Sequence, residues 1–255
     1  MHIATFAAGD IEQIITDIND SGFGLTFGVH SRIDDRVQQF IDKLKVGNIY
    51  VNRNQVGAVV GSQPFGGEGL SGTGPKAGGP EYVSRLTKPE RETFADGTSK
   101  PALLKDIQQE LDRLDLSVSV QLSTKNLPGP TGESNRLSTF GRGKVLCLGP
   151  TLAAANAQKR IAESTGCTAL RLVNGGDVEG TATAEILRNL SGFDAVVYWG
   201  NDVTAREFRV ALAERSGPLL PLIMDADPSR FSIERHVCID TTASGGNAEL
   251  LASMG

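Results

Sequence analysis

Apolar and polar residues follow two different rhythms along this chain. In the first third the rhythm is mixed. Ile11, Ile14, Ile15 and Ile18 recur at helical spacing behind Asp10, a residue type suited to an N-cap, and predict a helix. The run FGLTFGVHS then alternates as a strand does. Asp34 and Asp35 open a second predicted helix, with Val37, Phe40, Ile41 and Leu44 on one face and Gly47 to close it. NIYVN reads as a short strand, and HIATF near the start as another. From Asn54 to Gly79 the chain is rich in glycine and carries neither period.

The last third keeps a steadier beat. KVLCLG, TALRLV, DAVVYWG and PLLPLIM are short apolar runs, and the segments between them, 151–165, 180–192 and 203–217, are helical in pattern. Near-continuous apolar strands alternating with helices predict a parallel sheet covered on both faces. Between the two regions, ALLKDIQQELDRL is amphipathic, with Leu103, Leu104, Ile107, Leu111 and Leu114 on one stripe. LPGPTGESN reads as a turn-rich linker. The expected organisation is therefore a block over 1–87, a helix and linker over 88–142, an α/β domain over 143–233 and a tail over 234–255. The first block holds too little apolar sequence for a core of its own. Its strands and helices read as pieces of a larger sheet, with more chain expected upstream of Met1.

Composition narrows the classes. At 255 residues and 39% hydrophobic, the chain can bury a core. A net charge of −5 gives no long-range attraction for phosphates, which argues against nucleic acid as a partner. No apolar run approaches the roughly 18 residues that a membrane span needs, and the start has no signal-peptide pattern. Cys147, Cys167 and Cys238 are widely spaced, and Cys147 and Cys238 lie in apolar runs, so those two read as buried thiols rather than metal ligands or nucleophiles. A cytoplasmic, reducing setting is expected. The three histidines share no metal-ligand spacing with Cys, Asp or Glu, and no catalytic triad order is present. No catalytic residue and no metal site is expected.

Two glycine features invite a cofactor reading. Gly67-Glu68-Gly69-Leu70-Ser71-Gly72 matches the dinucleotide fingerprint G-x-G-x-x-G. A working fingerprint follows a strand and opens a helix, so that helix N–H groups face the pyrophosphate. Here Pro64 precedes it, and Pro75, Gly78, Gly79 and Pro80 follow. A loop whose glycines supply positive φ and close backbone packing is the expectation. In the α/β region, the turn after the first strand offers only Gly149.

Residues 47–86, GNIYVNRNQVGAVVGSQPFGGEGLSGTGPKAGGPEYVSRL, resemble the C-terminal part of the aldehyde dehydrogenase superfamily, and within it the glutamate-semialdehyde (Δ1-pyrroline-5-carboxylate) dehydrogenase branch. Residues 10–48 fit the same pattern. LPGPTGESNRLSTFGRGKVLCLG and ERHVCIDTTASGGNAELLASMG resemble the C-terminal domain and tail of the bifunctional proline utilization flavoenzymes, which join a proline dehydrogenase to the semialdehyde dehydrogenase. The resemblance implies an incomplete C-terminal piece of an aldehyde dehydrogenase catalytic domain, then a Rossmann-like non-catalytic α/β domain acting as a lid, then a β-flap tail used in docking. It places Gly57 and Ala58 at the family's aldehyde anchor, where backbone N–H groups hold the substrate's α-carboxylate. Phe65 falls where the family lines the aldehyde's aliphatic chain, with Ser62 and Gln63 nearby.

The family's catalytic thiol, its general-base glutamate and its NAD domain match nothing in this chain. The full enzyme is expected to oxidise glutamate semialdehyde to glutamate with NAD, through a cysteine thiohemiacetal, hydride transfer and thioester hydrolysis, with FAD in the upstream proline dehydrogenase. The chain alone is expected to be inactive and to bind no cofactor. Its partners would be the rest of the same polypeptide and further copies of itself. The rival expectation is a stand-alone Rossmann-like module that binds a small molecule or nucleotide at its strand ends.

Overall fold

The computed structural model describes residues 5, 7–55, 57–87, 94–95, 97, 100–114 and 120–242. Along the chain the elements are α1 (Ile11–Asp20), β1 (Phe23–Gly24), β2 (Thr26–Val29), α2 (Asp34–Lys43), β3 (Asn48–Val51) and β4 (Glu68–Gly69). Then come α3 (Leu104–Arg113), β5 (Gln121–Leu127), β6 (Glu133–Gly141), β7 (Lys144–Cys147), α4 (Leu152–Ser164) and β8 (Thr168–Arg171). The last are α5 (Ala184–Asn189), β9 (Ala195–Val197), α6 (Asp202–Ala213), β10 (Leu222–Ile223) and β11 (Ser232–Asp240). The fold class is α/β. Two compact units divide it: Met1–Tyr82 with Lys125–Leu137 and Glu234–Gly255, and Val83–Thr124 with Ser138–Ile233.

The first unit is organised on a five-stranded sheet of order β2-β3-β11-β6-β5. β3 runs parallel to β2 on one side and to β11 on the other, with Ile49 opposite Phe27 and Val237. Period-two alternation sends Val29, Ile49, Val51, Val237 and Ile239 to one face, where Ile11 and Ile15 of α1 and Val37 and Phe40 of α2 cover them. At about 1.5–3 kcal/mol for each fully buried aliphatic or aromatic side chain, this face holds the helices. The other face carries Asn48, Tyr50, His236 and Cys238, all fully buried.

Local readings differ from the structure in informative places. Asp10 precedes α1 but makes no side-chain cap bond. α2 ends at Lys43 with Leu44 extended, so Gly47 does not close it. Gly47 instead permits a backbone approach: a Cβ there would lie 2.0 Å from the Gly66 carbonyl oxygen. LPGPTGESN spans the turn between β5 and β6, two adjacent strands, rather than a linker. Apart from Thr5, the expected HIATF strand lies outside the described residues, as do residues 243–255 of the expected flap.

In the second unit the four apolar runs form a sheet of order β10-β9-β7-β8, and the β10–β9, β9–β7 and β7–β8 pairings are all parallel. Both faces are apolar. Leu146, Leu170 and Val196 pack against Ile107 and Leu111 of α3, Leu187 of α5 and Phe208 of α6. Val145, Cys147, Ala169 and Val197 pack against Ala154 and Ala162 of α4 and against Phe231. Thr151, Thr183 and Asn201 cap α4, α5 and α6, each accepting a backbone N–H from three residues ahead. The α3 stripe is narrower than its sequence pattern: Ile107 and Leu111 are buried while Leu103 and Leu104 are exposed.

Candidate functional site

β3 is the centre of the candidate site. Asn48 and Tyr50, two residues apart, point to the same face and reach up to the glycine-rich segment. The Tyr50 hydroxyl donates to the Gly57 carbonyl at 3.1 Å. Asn48 Nδ2 donates to the Pro64 carbonyl at 2.9 Å, and Asn48 Oδ1 accepts from the Gly66 N–H at 3.2 Å. One strand thus fixes the backbone at Gly57 and on both sides of Phe65. The segment between them doubles back, with the Val59 and Gln63 backbones exchanging hydrogen bonds of 3.1 and 2.8 Å.

Gly57 has φ +134°, a conformation that L side chains rarely adopt, so its glycine is required by the backbone. Ala58 is exposed and Gly57 is half-buried. Neither N–H donates a hydrogen bond among the described residues. Two adjacent amides on a fixed turn, with no side chain larger than methyl, can serve a carboxylate. Phe65 is half-buried and anchored by paired backbone bonds to Ala77 of 3.0 and 2.8 Å.

Around the turn lies a charged network that the sequence reading missed. Arg53 pairs with Glu133, donates to Cys238 Sγ at 2.8 Å and places its guanidinium carbon 5.7 Å from the Tyr50 ring centre. Gln63 Nε2 donates to Glu133 Oε1 at 2.7 Å, and Asn135 Nδ2 to the same oxygen at 2.8 Å. Burial alone would push the Glu133 carboxyl up, but the Asn135 and Gln63 donors and the Arg53 charge hold it below the usual carboxylate range. A cavity of about 380 Å³ opens here, lined by Arg53, Asn54, Thr131, Glu133, Asp240 and Thr242 among others.

Deeper under the glycines sits Lys76, 1% exposed. Its ammonium donates to Asn48 Oδ1 at 3.0 Å and to the Gly66 carbonyl, and its backbone N–H donates to Glu234 at 2.8 Å. Burial pulls its pKa down to about 7 against the pull of Glu234 and Glu68. His236, also buried, is held down at about 4 by burial and by the Lys76 charge. Glu68 receives a two-pronged contact from Arg235 at 3.0 and 3.2 Å. The one available signal for this layer was in NIYVN: polar residues at alternate positions of a strand with apolar neighbours.

The fingerprint-like glycines do not form a nucleotide cradle. Glu68 and Gly69 pair antiparallel with Gly24 and Phe23, and no helix starts at Gly72. A Cβ at Gly67 would meet the Gly24 carbonyl oxygen at 2.9 Å, so backbone packing fills the place a phosphate would need. In the second unit, the buried Gln158 carboxamide bonds both to the Gly149 N–H at 3.1 Å and to its carbonyl at 2.8 Å. The described residues at these two glycine turns therefore do not fit NAD. Among the described residues, no three His, Cys, Asp or Glu side chains come together as a metal site, and no helix is long and apolar enough to cross a membrane. All three cysteines are buried; burial pushes the Cys147 thiol far up, and the Cys238 thiol up to about 11.

The chain is similar to known proteins. Residues 1–91 match the aldehyde dehydrogenase family. The bifunctional protein PutA of Klebsiella aerogenes is 36% identical over 96% of the chain and 22% of its own length. The 1-pyrroline-5-carboxylate dehydrogenase of Bacillus thuringiensis (strain Al Hakam) is 42% identical over 32% of the chain and 16% of its own length. The solved structure of proline utilization A from Corynebacterium freiburgense superposes with a TM-score of 0.54 at 25% identity, over 91% of the chain and 24% of that protein. The chain spans about a fifth of the length of the PutA relative it matches. Residues 1–91 carry the aldehyde dehydrogenase family match and, over nearly its whole length, the chain is a relative of the bifunctional PutA proteins.

Proposed function

We propose that this chain supplies the aldehyde-anchoring part of a proline-catabolic glutamate-semialdehyde dehydrogenase, together with a non-catalytic α/β domain that acts as a lid. The observation that carries the reading is the Gly57–Ala58 turn. Its two N–H groups are unused among the described residues, its φ excludes side chains at Gly57, and Tyr50 fixes it from below. In this role the turn holds the substrate's α-carboxylate and Phe65 packs on the aliphatic chain. The residues that do this bind and orient; they move no proton. NAD would supply hydride acceptance in the full enzyme, and FAD would serve an upstream proline dehydrogenase. Both would sit on other parts of that polypeptide, which is the first expected partner. Further copies of the chain and a cytoplasmic setting complete the proposal.

Buried thiols support the companion proposal that the chain alone turns nothing over, since a nucleophilic cysteine needs thiolate character and access. The purified 255-residue chain should form no NADH from glutamate semialdehyde and NAD. Turnover above a no-protein blank would contradict this. The rival reading, a nucleotide-binding module, is disfavoured by Gln158, which already uses the backbone groups of Gly149. Calorimetric titration of NAD and AMP into the chain should show no heat of binding.

A further inference from the structure

We propose that Glu133, which lies more than seventy positions from the anchor turn in sequence, is the latch that holds that turn in shape. The inference rests on the anchor reading for its function, but its geometry stands apart from any ligand. Glu133 opens β6, directly after the turn that follows β5. Its two carboxylate oxygens divide their work. Oε2 takes the Arg53 guanidinium, which lies before the anchor turn, and Oε1 takes the Gln63 carboxamide, which lies after it. A single side chain therefore grips both ends of residues 53–63.

The two gripped side chains also face Gly57 itself. A Cβ built on Gly57 would meet Gln63 Oε1 at 3.5 Å and an Arg53 terminal nitrogen at 3.8 Å. Arg53 in turn lies against the Tyr50 ring, and Tyr50 bonds to the Gly57 carbonyl. Removing the Glu133 carboxylate leaves a largely shielded guanidinium and a buried carboxamide without their shared acceptor, which is where hydrogen bonds to charged groups matter most. Asn135 completes the holder: its Nδ2 bonds to Glu133 Oε1 and keeps the carboxylate facing the turn. Glu133 is thus a positioning residue. It touches no substrate in this account and acts through Arg53 and Gln63. Aspartate, one methylene shorter, spans the two partners poorly.

The test is amide hydrogen exchange on the whole chain, comparing the parent with Glu133→Ala and Glu133→Asp. The expected result is exchange at 59–63 faster by about tenfold or more in Glu133→Ala, with the α1 and α4 amides unchanged and Glu133→Asp in between. Unchanged exchange at 59–63 in a folded Glu133→Ala would overturn the latch, as would acceleration spread evenly over the first unit. If Glu133→Ala does not fold, Arg53→Met and Gln63→Ala each remove one grip, and the same local acceleration is required of both. Calorimetric titration of L-glutamate into the parent separates the two readings. Faster exchange in the variant with no glutamate binding to the parent upholds the latch and sinks the anchor; glutamate binding with unchanged exchange does the reverse.

Discussion

The two sheets of this protein solve the same packing problem differently. The four-stranded parallel sheet of the second unit buries apolar side chains on both faces. The five-stranded sheet of the first unit buries an apolar face under α1 and α2 and a polar face under the glycine-rich segment. An apolar face needs only shape and volume. A polar face loses free energy wherever a buried donor or acceptor lacks a partner, so the hydrogen bonds it does make dictate the path of the backbone above it. Asn48, Tyr50, Lys76 and Glu133 write the loop's shape in hydrogen bonds, as the proposed anchoring role requires.

Exchanging the two kinds of face should break both sheets, unequally. Leu146→Asn puts an amide without partners into the fully buried apolar face of β7 and removes a Leu side chain. Its cost should be at least about 4 kcal/mol, read as loss of cooperative unfolding or a large drop in denaturant midpoint. Asn48→Leu leaves the Lys76 ammonium, the Pro64 carbonyl and the Gly66 N–H short of a partner, and should cost about 3 kcal/mol by the same measurement.

Titration should separate the two faces next. His236 is buried neutral with its pKa lowered to about 4, so between about pH 6.5 and 4 the unfolded chain binds the proton that the folded chain refuses. Stability should therefore fall as pH drops through that window, by up to about 3 kcal/mol, and His236→Leu should flatten the slope. Lys76 has the same sign at higher pH. Its folded pKa is lowered to about 7, so stability should rise as pH goes from about 7 toward 10.5, and Lys76→Met should abolish that rise. Denaturation midpoints across pH report both.

The smallest effect belongs to the second unit's surface. Burial pushes the Asp177 carboxyl up, but the hydrogen bonds from Arg171 and Lys159 outweigh it and hold the carboxyl well below its usual range. These groups are partly exposed and solvent screens them, so Asp177→Asn should cost only about 1 kcal/mol in a thermal or chemical melt.

The same contrast explains what was legible in the sequence. Apolar periodicity is a local signal, and it placed α1, α2, β3 and the strand–helix alternation of the second unit. The polar face is written in long-range pairs: Glu133 meets Arg53 across 80 positions and Gln63 across 70. No spacing rule reaches that far, so Arg53, Glu133 and Lys76 went unread, and the turn 128–132 that delivers Glu133 passed for a linker. Gly57, Ala58 and Phe65 were named through family resemblance. What the structure adds is the reason they stay in place: Tyr50 and Asn48 hold their backbones from one strand. Gly67 packs closely against backbone, as expected of its loop, whereas Gly47, expected to end α2, permits a close backbone approach instead.

In the proposed function, the Gly57–Ala58 turn is a carboxylate anchor built on the polar face. Its most direct test follows the backbone amide resonances of this chain during titration with L-glutamate, and with L-isoglutamine, whose α-carboxylate is replaced by an amide. Saturable shifts centred on the Gly57 and Ala58 amides are expected with glutamate, and none there with isoglutamine. Equal shifts with both compounds, or shifts with glutamate that bypass these two amides, would contradict it.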